Sequence, residues 1–401
     1  MRLKVIKYLD LVVEYAIYAL IFYIPISIAL VSIFSYMAVI LFWIKQLLSP
    51  DFSKVGSNKT FFLILFTFFL FMALSVMNSG PLMAKSLNAL FMKWGRFVLI
   101  LWVIVDTFRD SKRIGKASYV LFFGAALVGL SVVSQKFFGF EFLRHRPLDS
   151  VGFITGPFIS RIDLASYFSC VIPFVLSFSL WKWKLLTVKV WLLLITLMLM
   201  LLSLCTYCRG GWIGLTAGMI TIPFLINYNC LSKKLFWILL SAVYIFILPS
   251  IAISLFFIKD DPQRVVLYRG AWKMIVEHPF LGKGLGTFMD YCVQYTNNYW
   301  PCYAHNCFLQ IWAESGIFSL LSFLALNGYV LYKAIKVILR MPVTLNFYIL
   351  IGLTSGYLGF LVHCFFDTQL YSFQLSFLFW VVLGLTVALT DSEGKTCLLN
   401  S

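Results

Sequence analysis

The sequence predicts an all-α, polytopic integral membrane protein, and three observations predict it. Apolar runs of about 20 residues, enough for a helix to cross a hydrocarbon core, recur along the whole chain. Of 401 residues, 61% are hydrophobic and only 12% are charged, about half the charge of a soluble domain. The runs do not alternate apolar with polar residues, so the strands of an outer-membrane barrel are excluded. An open sheet is excluded as well, because lipid cannot satisfy its backbone.

Taken in order, about twelve spans are expected, near 12–30, 32–48, 60–77, 91–107, 117–135, 163–181, 188–206, 210–227, 234–256, 305–332, 345–365 and 371–390. Together they read as a single polytopic membrane domain, 1–401, interrupted by one large polar loop, 257–304. Arg2, Lys4 and Lys7 precede the first run in the manner of a secretory signal. The apolar stretch 11–48 is too long for a signal and lacks a small-residue cleavage site. It reads as two retained helices broken around 25–35. The fourth span opens on Lys93 and Arg96.

An even number of spans puts both termini on one side, and loop charge says which. Nineteen of the 32 Lys and Arg residues fall in one set of loops and the termini, among them Lys45, Arg113, Lys116, Lys333 and Lys336. The positive-inside rule assigns this set to the cytoplasm, with both termini. The opposite face nevertheless holds Lys136, Arg144, Arg146, Arg161, Arg209, Lys259, Arg264, Arg269, Lys273 and Lys283. Cations that run against the topology rule need another reason. Short loops between spans are poor nucleic-acid binders, so an anionic, lipid-linked substrate on the outer face is the better partner.

Three segments on that face carry groups fit for chemistry. Arg209 sits in a very short turn, Cys208-Arg209-Gly210-Gly211. It either snorkels to the interface or offers its planar fork to a phosphate, and the glycines let another backbone or a ligand come close. Arg161 opens the sixth span, with Ser160 or Asp163 as the cap and a salt bridge to Asp163 as the plain alternative. In the large loop, 263–276 reads as an amphipathic helix. Val265, Trp272, Ile275 and Val276 would lie on the membrane surface, and Arg269 and Lys273, at i and i+4, would share a cationic face. Pro279 and three glycines end it in tight turns. Gly282-x-Gly284-x-Gly286 lacks the strand and helix of a nucleotide site, which rules one out.

His305 is the strongest single candidate. A neutral imidazole at the head of an apolar helix accepts a proton near neutral pH, although a histidine merely hydrogen-bonded at a helix start is the bland reading. Asn306, Gln310 and Glu314 continue from it as a polar stripe about 12 Å long. His278 reads as structural, Arg144-His145-Arg146 as a flexible basic loop, and His363 with Asp367 as possible members of the same outer site. No metal-ligand spacing accompanies His305 and His363, and Cys205-x-x-Cys208 lacks the second pair of a metal or redox site. One disulfide among Cys292, Cys302 and Cys307 is an option if the loop faces an oxidising compartment.

These residues carry a resemblance. Arg269-x-x-Trp272, then His278-Pro279-Phe280-Leu281-Gly282-x-Gly284, then Ala304-His305-Asn306-x-Phe308-Leu309-Gln310-x-x-Ala313-Glu314-x-Gly316, resembles the O-antigen ligase and polymerase superfamily. Cys208-Arg209-Gly210 is similar to that family's arginine turn, and the twelve-span layout extends the likeness over nearly the whole chain. The resemblance implies a GT-C-like glycosyltransferase of the bacterial inner membrane with a periplasmic site. A ligase would move a glycan from undecaprenyl diphosphate to a sugar hydroxyl of lipid A-core, inverting, with no metal, nucleotide or other cofactor. It also implies His305 as the acceptor base and Arg209 and Arg269 as diphosphate ligands. Arg161 falls where members show a small polar motif, and Arg264 replaces or assists Arg269. The compact His305 segment and single large loop favour a ligase over an O-antigen or exopolysaccharide polymerase. A transporter would show inverted repeats or polar residues paired at broken helices near the midplane, and the sequence shows no internal repeat.

Overall fold

The computed structural model describes residues 2–51, 58–108, 110–227, 262–296 and 303–399. The helices are α1 (Arg2–Tyr23), α2 (Ile28–Leu48), α3 (Lys59–Ser75), α4 (Met83–Asn88), α5 (Arg96–Thr107), α6 (Ser111–Phe138) and α7 (Arg161–Ser179). They continue with α8 (Leu186–Leu204), α9 (Arg209–Asn227), α10 (Pro262–Glu277), α11 (Phe288–Thr296), α12 (Cys307–Ile338), α13 (Leu345–His363) and α14 (Phe373–Leu399). Ten helical segments among the described residues are long and apolar enough to cross a membrane. The protein is therefore all-α and polytopic. The expected span at 234–256 lies outside the described residues.

The first break comes earlier than the hydropathy suggested. Pro25 disfavours helical backbone at Ile24, and Ser27 caps α2 by accepting from the Leu30 N–H. The chain therefore turns at 24–27 rather than near residue 31. Ahead of the fourth span, Gly80 and Pro81 break the chain into 3₁₀ turns, and α4 leads through a π-helical stretch, Ala89–Gly95, into α5.

Burial separates centre from periphery. The apolar window of α14 is 94% buried and that of α7 83%, against 28% for α2 and α8. Small residues bring the central helices together. A Cβ on Gly214 of α9 would lie 2.5 Å from the Gly359 carbonyl oxygen of α13, and one on Gly356 would lie 1.9 Å from that of Cys170 on α7. Helices that cannot gain from expelling water gain instead by backbone contact through such residues.

The two charge sets occupy opposite ends of the bundle. At one end Arg2 donates to the Leu48 carbonyl, Asp10 pairs with Lys45 and Arg113, Glu14 with Arg113, and Asp391 with Lys333. The other end holds the turns at 24–27, 139–160, 205–208, 278–287 and 364–372. There the 139–160 loop is held in place rather than swinging free. The Glu141 carboxylate accepts from the N–H groups of Leu143, Arg144 and Arg146, and the Arg144 and Arg146 side chains donate to the carbonyls of Pro157 and Phe158.

α12 is broken. Gly316 lies at φ 79° and ψ 175°, which removes the helical hydrogen bonds around it. The 278–287 loop replaces them. The N–H of Lys283 donates to the Ala313 carbonyl, that of Gly284 to the Glu314 carbonyl, and that of Ile317 to the Pro279 carbonyl, at 2.9 Å each. Loop and kink are thus one stitched unit.

Candidate functional site

The site builds outward from the 364–367 turn, which connects α13 to α14. His305 precedes α12 by two residues, with left-handed backbone (φ 47°). For a non-glycine residue this conformation is uncommon and held only by its surroundings. Its Nδ1 lies 3.1 Å from Oδ1 of buried Asp367. Burial works against the charge on Asp367, but the hydrogen bond and charge of His305 outweigh it and hold the carboxyl below its ordinary value. An ionised carboxylate only accepts, so Nδ1 carries the proton, and in the neutral ring the lone pair is on Nε2. Nε2 has no hydrogen-bond partner among the described residues, and the imidazole is about one-third exposed.

The candidate arginines divide. Arg264 joins the turn directly, donating to the Phe366 carbonyl at 2.9 Å and lying 3.9 Å from Asp367 Oδ2. One helical turn on, the Tyr268 hydroxyl reaches the His305 carbonyl. Arg161 makes no salt bridge to Asp163. It donates to the Tyr207 carbonyl at 3.3 Å and lies over the Phe153 ring, while Ser160 caps α7. Arg209 is exposed at the head of α9, with no hydrogen-bond or ion-pair partner among the described residues. Its neighbour Gly210 packs so closely on the turn that a Cβ there would lie 2.6 Å from Cβ of Phe366. The close approach expected of these glycines is thus to the 363–366 segment for Gly210 and, with an added Cβ again at 2.6 Å, to Ala165 of α7 for Gly211. Arg269 is exposed too, but it sits five residues along α10 from Arg264, well round the helix, and no contact links it to the turn. Of the four candidate arginines, Arg264 reaches Asp367, Arg209 directly precedes Gly210, which packs on Phe366, and Arg161 is held on Tyr207 and Phe153.

Two buried groups fix that geometry from below. His363, on the last turn of α13, sets Nδ1 2.9 Å from the Ser166 hydroxyl and Nε2 3.7 Å from Cys208 Sγ. Burial pushes the Cys208 thiol up to about 11, so it is an inert packing group rather than a nucleophile. Cys292 and Cys307 are free thiols, and Cys302 lies outside the described residues.

The polar stripe proves architectural. Asn306 caps α12, accepting from the N–H groups of Phe308 and Leu309, and donates to the Phe365 carbonyl. Gln310 accepts from the Ala304 N–H. The Glu314 carboxylate accepts from the N–H groups of Gly286 and Phe288 and from the Tyr371 hydroxyl. It thereby sits at the N-terminus of α11, where the helix dipole favours a negative group. All three bond the backbone around His305 and the glycine loop and so hold those segments in place. The glycine loop spends its N–H groups on α12 and leaves no phosphate cradle. His278, whose basicity burial and Lys283 both reduce, accepts from the Lys283 ammonium.

α10 differs from the expected surface helix in one respect. Ile275 is buried with Leu267, Ala271 and Met274 against Tyr291 and Cys292 of α11. Val265, Trp272, Val276, Arg269 and Lys273 stay exposed, so the shared cationic face is present.

Residues 197–324 match the family model described as O-antigen ligase. The match covers about a third of the chain and is a likeness to that family. Members of that family are membrane glycosyltransferase-like ligases and polymerases. No curated protein matches the chain. The O-antigen ligase segment contains Arg209, Arg264, Arg269, His305, Asn306, Gln310 and Glu314, but ends before Asp367 and begins after Arg161. Asp367 entered the sequence reading only as a lesser companion of His363. The one signal for it is an acid, in a chain with 16 Asp and Glu, placed in a short turn between two apolar spans.

Proposed function

We propose that the chain is a ligase that transfers a glycan from undecaprenyl diphosphate to a hydroxyl of lipid A-core. The reaction would take place on the periplasmic face of the bacterial inner membrane, with both termini cytoplasmic. The observation that supports this reading best is the Asp367–His305 pair with Arg264 held on the same turn; Arg264, Arg209, Arg161 and Arg269 are the proposed diphosphate ligands. The acceptor hydroxyl gives its proton to Nε2 as its oxygen bonds to the anomeric carbon. The anomeric C–O bond to the diphosphate breaks on the opposite side, which inverts the centre. Asp367 stabilises the imidazolium that forms. Charge developing on the departing diphosphate meets cations already in position, which is the usual largest contribution in a water-poor site. The leaving group is activated beforehand, so the displacement draws on no nucleotide and no metal. The prenyl chain stays in lipid throughout.

Deletion of the gene, followed by gel analysis of surface lipopolysaccharide, tests the assignment. Loss of a ligase leaves bare core while undecaprenyl-linked polymer accumulates. Core capped with a single repeat would instead make the protein a polymerase.

A further inference from the structure

The proposed chemistry leaves one buried imidazole idle. His363 ends α13 and touches all three elements that carry Asp367, Arg209 and Arg161. Its carbonyl accepts from the N–H groups of Phe366 and Asp367, at 2.8 and 3.2 Å, which folds the 364–367 turn back on α13. Its ring lies against the head of α9. A Cβ on Gly210 would come within 3.1 Å of Cδ2 and 3.2 Å of Nε2, and one on Gly211 within 3.4 Å of Cε1. The two glycines after Arg209 therefore make room for this ring. At its other edge Nδ1 lies 2.9 Å from Oγ of Ser166, five residues along α7 from Arg161.

The hydrogen bonds of the ring have a direction. Ser166 has one hydroxyl proton and donates it to the Ile162 carbonyl at 3.0 Å. It accepts from the ring in return, so Nδ1 carries a proton and Nε2 the lone pair. Nε2 faces the Cys208 thiol at 3.7 Å, and burial keeps that thiol protonated and able to donate. One oriented chain thus runs from the turn before Arg209, through His363, to α7. Arg161 reaches back from α7 to the same turn at the Tyr207 carbonyl. A buried polar network whose members all have partners specifies a single geometry. His363 is 0% exposed, so substrate does not reach it and its part in the reaction is indirect.

We infer that His363 is a positioning residue that sets Arg209 and Arg161 against the Asp367 turn. The inference rests on the proposed transfer reaction for the role of those arginines as diphosphate ligands. Loss of the ring's hydrogen bonds should therefore be felt on the donor side of the reaction.

The test uses the full chain in detergent with His363→Leu, which removes the ring's hydrogen bonds, and His363→Asn, whose amide N–H can stand where Nδ1–H stood. With undecaprenyl-diphosphate-linked glycan and lipid A-core, His363→Leu should raise the donor KM about 10-fold while the acceptor KM holds, within the roughly 100-fold that a 1 Å misplacement can cost. His363→Asn should recover most of that loss. Ser166→Ala should repeat the donor-side loss, and adding it to His363→Leu should cost little more, because both changes break one bond. Binding of inorganic pyrophosphate, measured by calorimetry with no acceptor present, should weaken in the same order. Absent transfer by the native protein would sink the proposed reaction, and the pyrophosphate series would then decide the positioning role by itself. Native pyrophosphate affinity in His363→Leu and Ser166→Ala would overturn that role, as would a rise in both KM values that His363→Asn fails to relieve. Should His363→Leu not fold, Ser166→Ala and His363→Asn carry the same comparison.

Discussion

At the scale of single residues, the proposed chemistry turns on the carboxylate behind His305. His305→Ala should lower transfer by about 100- to 10,000-fold, the usual worth of a general base, with pyrophosphate binding retained. Full activity would end its catalytic role. Asp367→Asn should cost ~100-fold or more, because the imidazole loses its tautomer and its counter-charge. The folded Asp367 carboxyl is depressed, so its stabilising contribution is present above the unfolded value and disappears as pH falls through the folded one. His305 was legible because a lone histidine at the head of an apolar helix is a rare residue in a rare place. Asp367, 62 residues later, was not legible as its partner, because no local spacing encodes a contact between two separate turns. The stripe Asn306, Gln310 and Glu314 was legible as polar positions on one helix, while the backbone groups that they hold, at Ala304, Gly286 and Phe288 among others, were not. Arg264 rather than Arg269 reaches the turn, a choice that depends on the rotation of α10 about its own axis.

At the scale of elements, the kinked α12 and the glycine loop stand or fall together. Gly316→Ala would force left-handed backbone on a residue with a side chain and set its Cβ 2.0 Å from the Phe280 carbonyl oxygen. A loss of at least ~1–3 kcal/mol is expected, read as a lower thermal midpoint in detergent with weakened transfer. An unchanged midpoint would mean that the stitched unit is dispensable. Tight turns at 279–286 could be foreseen from Pro279 and three glycines. Their partner could not, because the sequence of a helix says little about where its hydrogen bonds are handed to a distant loop. The break between α1 and α2 was expected within 25–35 and falls at its start, because Pro25 bends the chain and Ser27 caps the next helix.

At the scale of the whole molecule, apolar run lengths made the spans readable, while their arrangement stayed hidden. Lipid-facing and helix-facing residues are equally apolar, so nothing in the hydropathy marks α14 as central and α8 as peripheral. Charge did separate the two ends, and the proposed orientation follows from it. A green fluorescent protein fused after Ser401 should fluoresce, and alkaline phosphatase inserted after Ser150 should be active. The reverse pattern would turn the molecule over and put His305 in the cytoplasm. Finally, the glycine contacts between α9 and α13 limit how a carrier can arrive. Where a single methyl group has no room, a methyl-branched isoprenoid tail has none either. That seam is shut to lateral diffusion, so in the proposed reaction a prenyl chain would come to Arg209 along another flank of the bundle.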